Sequence, residues 1–121
     1  KNRSISTIMS VEIPNLPAGL AVYHVNTFLK ITILPGDQDV KTGDSVFDKA
    51  FVVQGNDPAD VCSWLNASRR NAILRIMATQ RDLNIRDGCL RFERNQLVDD
   101  PAVLEKALEC FAALIPHLHS R

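Results

Sequence analysis

A β-hairpin is predicted by the stretch Leu83-Asn84-Ile85-Arg86-Asp87-Gly88-Cys89-Leu90-Arg91-Phe92. Apolar and polar residues alternate on both sides of its Asp-Gly pair, and a period of two is typical of half-buried strands. A two-residue Asp-Gly turn favours type I′, in which both turn residues have positive φ. That turn places Ile85 opposite Leu90 and Leu83 opposite Phe92, on one face. Turn chemistry and hydrophobic pattern therefore predict the same register.

Helices are predicted on both sides of this hairpin. Asp57-Pro58 and Asp99-Asp100-Pro101 each combine an N-cap carboxylate with a proline at the first helical position. Asn66 is a further N-cap, followed by a helical pattern over residues 67–78, so the segment is either one bent helix or two helices. In the last helix, Pro116 removes one hydrogen bond, and we expect a kink or fraying there.

The first half of the chain predicts strands. Residues 7–13 alternate between apolar and polar, and further strands are predicted over residues 20–25, 28–34 and 48–54, the last with Phe47 at its start. The predicted fold class is α+β, with an antiparallel sheet of about six strands and two or three helices in the order ββββ-α(α)-ββ-α. We expect residues 1–121 to form a single domain, since no linker or repeat interrupts them.

The charge balance argues against a nucleic-acid partner. The chain has 14 basic and 14 acidic residues, so the electrostatic footprint of a nucleic-acid binder is missing. Residues 37–60 hold six acids and two lysines, a net charge of −4, whereas residues 69–94 hold seven arginines and three acids, a net charge of +4. Either the two stretches offset each other, or the second binds an unknown acidic protein or an anionic membrane surface. The candidate binding residues are Arg69, Arg70, Arg75, Arg86 and Arg91.

No catalytic, metal or cofactor motif stands out in the sequence. The three cysteines, Cys62, Cys89 and Cys110, are not at metal-ligand spacing. We expect His24 to be a core or boundary histidine, and His117 and His119 to be exposed near the terminus. The alternative function is an enzyme whose site is assembled from distant residues, namely His24, Cys89 and the acidic loop 37–48. Such a site requires its base and nucleophile to lie within hydrogen-bond reach.

Targeting features are sparse. No run of residues approaches the ~18 apolar residues of a membrane span, and no signal peptide is evident. We expect the chain, which starts at Lys1 without Met, to be a fragment of a longer protein. The unpaired cysteine count favours a reducing compartment.

Several local motifs, taken together and in order, resemble one protein family. They are Leu16-Pro17-Ala18-Gly19-Leu20, the segment 42–53 with its Gly-Asp-x-x-Phe-Asp core, Asn56-Asp57, Trp64-Leu65-Asn66, the hairpin at residues 85–90 and Asp99-Asp100-Pro101. This pattern resembles the soluble domain of an uncharacterised family of bacterial membrane-anchored proteins, a domain of unknown function. One departure is Asn66-Ala67, where the family pattern has Thr-Pro.

The resemblance implies transmembrane segments before Lys1 and brings no catalytic residue with it. It favours a non-enzymatic binding, interaction or scaffolding domain at a membrane surface. It does not specify the side of the membrane, and only the cysteine content favours the cytoplasmic side. The arginine-rich segment 69–94 is then the expected contact surface. Neither the sequence nor the resemblance specifies an oligomeric state.

Overall fold

The computed structural model describes residues 6–25, 40–94 and 97–119. Its architecture is α+β, with one antiparallel sheet and helices that share the core on one of its faces. The elements are β1 (Thr7–Glu12), β2 (Ala21–His24), α1 (Ser45–Ala50), β3 (Phe51–Gln54), α2 (Pro58–Trp64), α3 (Ala67–Met77), β4 (Leu83–Arg86), β5 (Cys89–Arg94) and α4 (Pro101–His119).

The five strands are ordered β1-β5-β4-β2-β3, and every neighbouring pair is antiparallel. Because side chains alternate along a strand, Val22, Ile85 and Leu90 all point into the core between sheet and helices. Their strand neighbours point to the opposite side, which we call the outer face.

The predicted hairpin is confirmed in turn type and register. Asp87 has φ 54° and Gly88 has φ 74°, as a type I′ turn requires. Ile85 pairs with Leu90, and Leu83 pairs with Phe92. The alternating segment at residues 7–13 also forms a strand, β1, whose partner is the second strand of this hairpin.

The predicted N-caps are confirmed. Asp57 accepts a hydrogen bond from Ala59 N at 3.0 Å, and Asn66 accepts one from Arg69 N at 2.9 Å. Asp100, rather than Asp99, caps the last helix. The backbone of Leu65 leaves the helical region, with φ −80° and ψ 60°, so α2 and α3 are two helices.

Pro116 does not end the last helix, which continues to His119. Pro116 and residue 112, whose carbonyl loses its helical partner, both lie on the exposed side of α4, where water can take that bond. Leu114 and Leu118, on either side of the proline, are fully buried and hold both turns against the core.

The strand prediction over residues 48–54 is wrong in its first half. Residues Ser45–Ala50 form helix α1, and the strand begins only at Phe51. Asp44 caps α1 by accepting hydrogen bonds from Val46 N and Phe47 N, which fixes the helical turn. The predicted strand 28–34 lies outside the described residues. The described part of the chain therefore has five strands and four helices, rather than about six strands and two or three helices.

The sheet consists of a three-stranded part, β1-β5-β4, and a two-stranded part, β2-β3, which are joined at a narrow seam. The β1–β5, β4–β5 and β2–β3 ladders contain six, four and four residue pairs, respectively. Between β2 and β4, by contrast, the described residues form the single pair Val22↔Ile85. The described residues form no second pair between these two strands.

Candidate functional site

A polar cluster occupies the outer face beside the seam. It consists of five side chains from three adjacent strands: Tyr23, Asn84, Arg86, Arg91 and Glu93. Each alternates with core residues on its own strand, which places all five on the same side of the sheet. Asn84 pairs directly with Arg91 across the β4–β5 ladder, and Asn84–Glu93 and Arg86–Arg91 are diagonal neighbours.

Glu93 is the centre of the polar cluster. Its Oε1 accepts hydrogen bonds from Asn84 Nδ2 at 2.9 Å and Arg91 Nε at 3.2 Å, and its Oε2 accepts one from Arg86 Nη2 at 2.9 Å. Burial raises the pKa of Glu93, but the hydrogen bonds from Asn84 and Arg91 and the charge of Arg86 outweigh it. The net pKa lies below its ordinary value, so this carboxylate stays ionised at neutral pH.

Two buried atoms of the polar cluster lack a hydrogen-bond partner among the described residues. They are Arg86 Nε, a donor, and Asn84 Oδ1, an acceptor. The carboxylate of Asp87 lies 3.8 Å from Arg86 Nε, which is too long for a hydrogen bond. A buried polar atom without a partner costs about 1–3 kcal/mol, so a rearrangement that gives either atom a partner stabilises the domain.

A cleft of about 560 Å³ opens next to Arg86, where β2 and β4 separate beyond the seam. Tyr23, Gln54 and Arg86 contribute side chains to it, and Gly88 lies at the hairpin end. Its far wall is the segment 15–20, which connects β1 to β2. A concavity of this size with convergent polar groups fits a small ligand or a short segment of a larger one.

The far wall of the cleft is fixed by close backbone packing. Asn56 N donates to Ala18 O at 3.0 Å, and Leu20 N donates to Pro17 O at 3.1 Å. Gly19 has φ 73°, and a Cβ there would lie 2.3 Å from Asn56 Oδ1, so only glycine fits. The motifs at residues 16–20 and 56–57 therefore have a shared structural role in shaping the cleft.

A larger groove, of about 860 Å³, lies on the helix side near Trp64, Arg69 and His119. Its buried polar groups already bind one another, because Arg69 donates to Trp64 O and Asn66 caps α3. The cleft at the seam is the better candidate site, because Arg86 there has a free donor.

Arg69 and Arg70 join helices rather than forming a binding surface. Arg69 is only 6% exposed, donates to Trp64 O at 2.9 Å and to His117 O at 3.1 Å, and stacks over the Trp64 ring at 4.7 Å. Burial lowers the pKa of Arg69. Arg70 donates to Leu65 O at 2.7 Å and to Asp44 Oδ2 at 3.1 Å. The basic and acidic stretches thus meet at the Arg70–Asp44 ion pair.

The five predicted binding arginines lie in three separate places. Arg69 and Arg70 are at the α2–α3 junction, and Arg86 and Arg91 belong to the polar cluster. Arg75 is exposed on α3, beside a shallow groove shared with Lys106 and Glu109 of α4. The structure brings only Arg86 and Arg91 together, and Glu93 binds both.

His24 and Cys89 lie on opposite faces of the sheet. His24 is buried on the helix side, where its Nε2–H donates to Met77 O at 2.6 Å and its ring contacts Phe51 at 4.9 Å. Cys89 alternates with the core residue Leu90 and so lies on the outer face, two strands away. The sheet therefore keeps these two side chains out of hydrogen-bond reach of each other.

The acids of the 40–48 region have structural partners. Asp48 accepts hydrogen bonds from Thr42 N, Thr42 Oγ1 and Gly43 N, which closes the loop before α1. The Phe47 N–H and then the Arg70 guanidinium lower the pKa of Asp44. The Gly-Asp-x-x-Phe-Asp pattern is thus a helix-starting loop. Asp37 and Asp39 lie outside the described residues.

Of the predicted terminal histidines, His119 is exposed and His117 is half-buried, with its carbonyl bound by Arg69. No group of three or more His, Cys, Asp or Glu side chains that could hold a metal occurs within residues 6–25, 40–94 and 97–119.

Sequence reasoning did not identify Tyr23, Asn84 and Glu93 as site residues. The hairpin register contained part of the signal, because it places Asn84, Arg86, Arg91 and Glu93 on one face. Tyr23 joins them only because β2 lies next to β4, a pairing between distant parts of the chain that no local pattern indicates.

Comparison of the chain with protein-family models, curated proteins and solved structures gave no match. The resemblance to a membrane-anchored family therefore stays a prediction. Within the described ranges, none of the helices has the length and apolar character needed to cross a membrane.

Proposed function

We propose that this chain is a non-enzymatic interaction domain of a bacterial membrane-associated protein, and that it binds a polar peptide segment of a partner protein in the cleft at the seam. The observation that carries the proposal is Arg86, whose buried Nε–H has no partner among the described residues and which lines the cleft. Because Nε itself is buried in the free chain, a carbonyl oxygen of a partner peptide would accept this hydrogen bond after the guanidinium turns toward the cleft.

The charges around the cleft favour an uncharged ligand group. Burial lowers the pKa of Arg86, but the carboxylate of Glu93 and the hydroxyl of Tyr23 raise it more, so its guanidinium stays charged. Asp87 and Glu93 lie close to the arginines and compensate their charge. An additional anion gains little in this balanced field, whereas an amide gains a hydrogen bond to a charged donor.

The test is an NMR titration with an acetylated, amidated triglycine peptide, which presents peptide groups without side chains. We expect the amide signals of Tyr23, Arg86 and Gly88 to shift with a Kd in the millimolar range, as for weak fragments. In Arg86→Lys, which keeps the charge but loses the Nε–H, we expect the affinity to fall about tenfold, the effect of one charge-assisted hydrogen bond.

Arg75→Lys is the matched control, because Arg75 is exposed on α3 and remote from the cleft lining. Shifts confined to other surfaces, or equal effects of the two variants, would contradict the proposal. Sedimentation with phosphatidylglycerol vesicles that is lost in Arg75→Glu but kept in Arg86→Lys would indicate an anionic membrane surface as the partner instead.

A further inference from the structure

Strand β1 forms an edge of the sheet with backbone groups directed away from it. Ile13 N donates to Gly88 O at 2.8 Å, which sets the hydrogen-bonding phase of the β1–β5 ladder. Peptide groups of an antiparallel strand alternate between its two sides, so residues 7, 9 and 11 bind β5. The N–H and C=O groups of Ile8, Ser10 and Glu12 therefore point outward, and among the described residues no strand pairs with them.

Among the described residues, this edge has no lysine, proline, bulge or covering strand that would hinder pairing. Natural edges are protected by lysine, proline, a bulge or a covering segment. Strand β1 reads Thr-Ile-Met-Ser-Val-Glu in an unbroken register with β5, and Ile8 is 53% exposed. The opposite edge is covered at one point, because Val40 N donates to Val53 O of β3 at 2.7 Å.

We propose that β1 pairs antiparallel with β1 of a second copy of this chain, across a two-fold axis at Ser10, to give one continuous sheet to which the described residues of each copy contribute five strands. In this register Ile8 of each copy lies opposite Glu12 of the other, and Ser10 lies opposite Ser10. All three outward N–H groups and all three outward C=O groups of each copy are then paired. Moving the axis to Met9 would place each Glu12 opposite Ser6 of the other copy, which lies outside β1.

The side chains of β1 suit a second copy on both faces. On the helix side Met9 lies opposite Val11 of the other copy, and both are only half-buried in one chain, so the core extends across the junction. On the outer face the two Glu12 Cα atoms are about 14 Å apart at ~3.4 Å per residue. This exceeds the Debye length of ~8–10 Å, so the only charge on β1 does not oppose pairing.

Analytical ultracentrifugation of the whole chain tests the inference. A six-residue strand pair is smaller than a standard interface, and we expect a monomer–dimer equilibrium between about 1 and 500 µM. Ser10→Lys places two ammonium groups face to face, and we expect it to raise the dimer Kd at least about tenfold. Ile8→Lys, the matched control, places each lysine opposite Glu12 of the second copy, so the Kd stays equal or falls.

Disulfide trapping tests the register independently, in a chain with Cys62 and Cys89 replaced by serine. Cα atoms of hydrogen-bonded antiparallel pairs are ~5.5 Å apart, within disulfide range, so Ser10→Cys cross-links two copies. Glu12→Cys stays uncross-linked, because its Cα atoms are about 14 Å apart. A chain that is monomeric at every concentration overturns the proposal. A dimer that tolerates Ser10→Lys, or equal trapping at both positions, also overturns it.

Discussion

Gly55 lies directly after β3, where a methyl group has no room. A Cβ at this position would be 2.3 Å from Cγ2 of Val61, whereas ordinary contacts begin at 3.4 Å. Val61 is fully buried on α2, so β3 and α2 must separate by about 1 Å in a densely packed region. Overpacking of this kind costs about 1–3 kcal/mol, and the more restricted unfolded chain offsets about 0.4–1 kcal/mol of it. We therefore expect Gly55→Ala to lower the free energy of unfolding by about 1–2 kcal/mol.

The double variant with Val61→Ala distinguishes this clash from other effects. Val61→Ala alone removes two buried methyl groups and is expected to cost about 2 kcal/mol. In the double variant the new methyl group occupies the vacated space, and Cβ of residue 61 lies 3.6 Å away, an ordinary contact. The double variant is then expected to cost about 2 kcal/mol, less than the sum of the two single losses, with a coupling of about 1–2 kcal/mol.

Urea unfolding followed by the fluorescence of Trp64, the only tryptophan, measures all four proteins. Gly43→Ala is the control, because Gly43 has φ 90° but no atom within 4 Å of a new Cβ. Its cost is backbone strain alone and should add to that of Val61→Ala. If the loss of unfolding free energy in the double variant equals the sum of the losses in Gly55→Ala and Val61→Ala within about 0.5 kcal/mol, the reasoning is refuted.

Two further predictions concern charged side chains. The folded-state pKa of Glu93 lies below its ordinary value of 4.5, so its stabilisation is complete above that pH and is lost as the pH falls through the folded pKa. We therefore expect Glu93→Gln to lower the free energy of unfolding by about 1–2 kcal/mol at pH 7. Below pH 4.5, the free energy of unfolding measured with urea should fall less steeply with decreasing pH in this variant than in the unchanged chain. The same pH dependence below pH 4.5 in the variant and the unchanged chain would contradict the role given to Glu93. Arg69→Met leaves Trp64 O and His117 O without their donor and should cost about 2–3 kcal/mol, whereas Arg75→Met should stay within about 0.5 kcal/mol. Equal thermal midpoints for the two variants would show that the helix junction does not depend on Arg69.

The hairpin and the helix starts could be predicted from sequence because their causes are local. The Asp87-Gly88 pair fixes the turn, and alternation on either side fixes the faces, all within ten residues. The N-caps at Asp57 and Asn66 likewise act on backbone N–H groups two or three residues ahead.

Helix α1 could not be separated from a strand by pattern alone. Phe47, Phe51 and Val53 fit alternation, but the spacing of four between the two phenylalanines also fits a helical turn, and their rings are 5.1 Å apart. The N-cap hydrogen bonds of Asp44 select the helix. The roles of Arg69 and Arg70 were hidden for another reason, since their acceptors include the last carbonyls of a preceding helix whose direction the sequence does not specify.

The single residue pair between β2 and β4 has a mechanical consequence. The three-stranded part of the sheet (β1, β5 and β4) and the two-stranded part (β2 and β3) are connected mainly by side chains of the helix layer, because Ile73, Met77 and Leu114 share one core with both parts. A rotation of one part of the sheet against the other disrupts one backbone residue pair rather than all the pairs along a strand, so the free-energy cost of the rotation is small. We expect the amides flanking Val22 and Ile85 to exchange hydrogen with solvent faster than the amides paired within the β4–β5 and β2–β3 ladders. The width of the cleft beside the seam is then an adjustable property of the domain, set by how the helices pack.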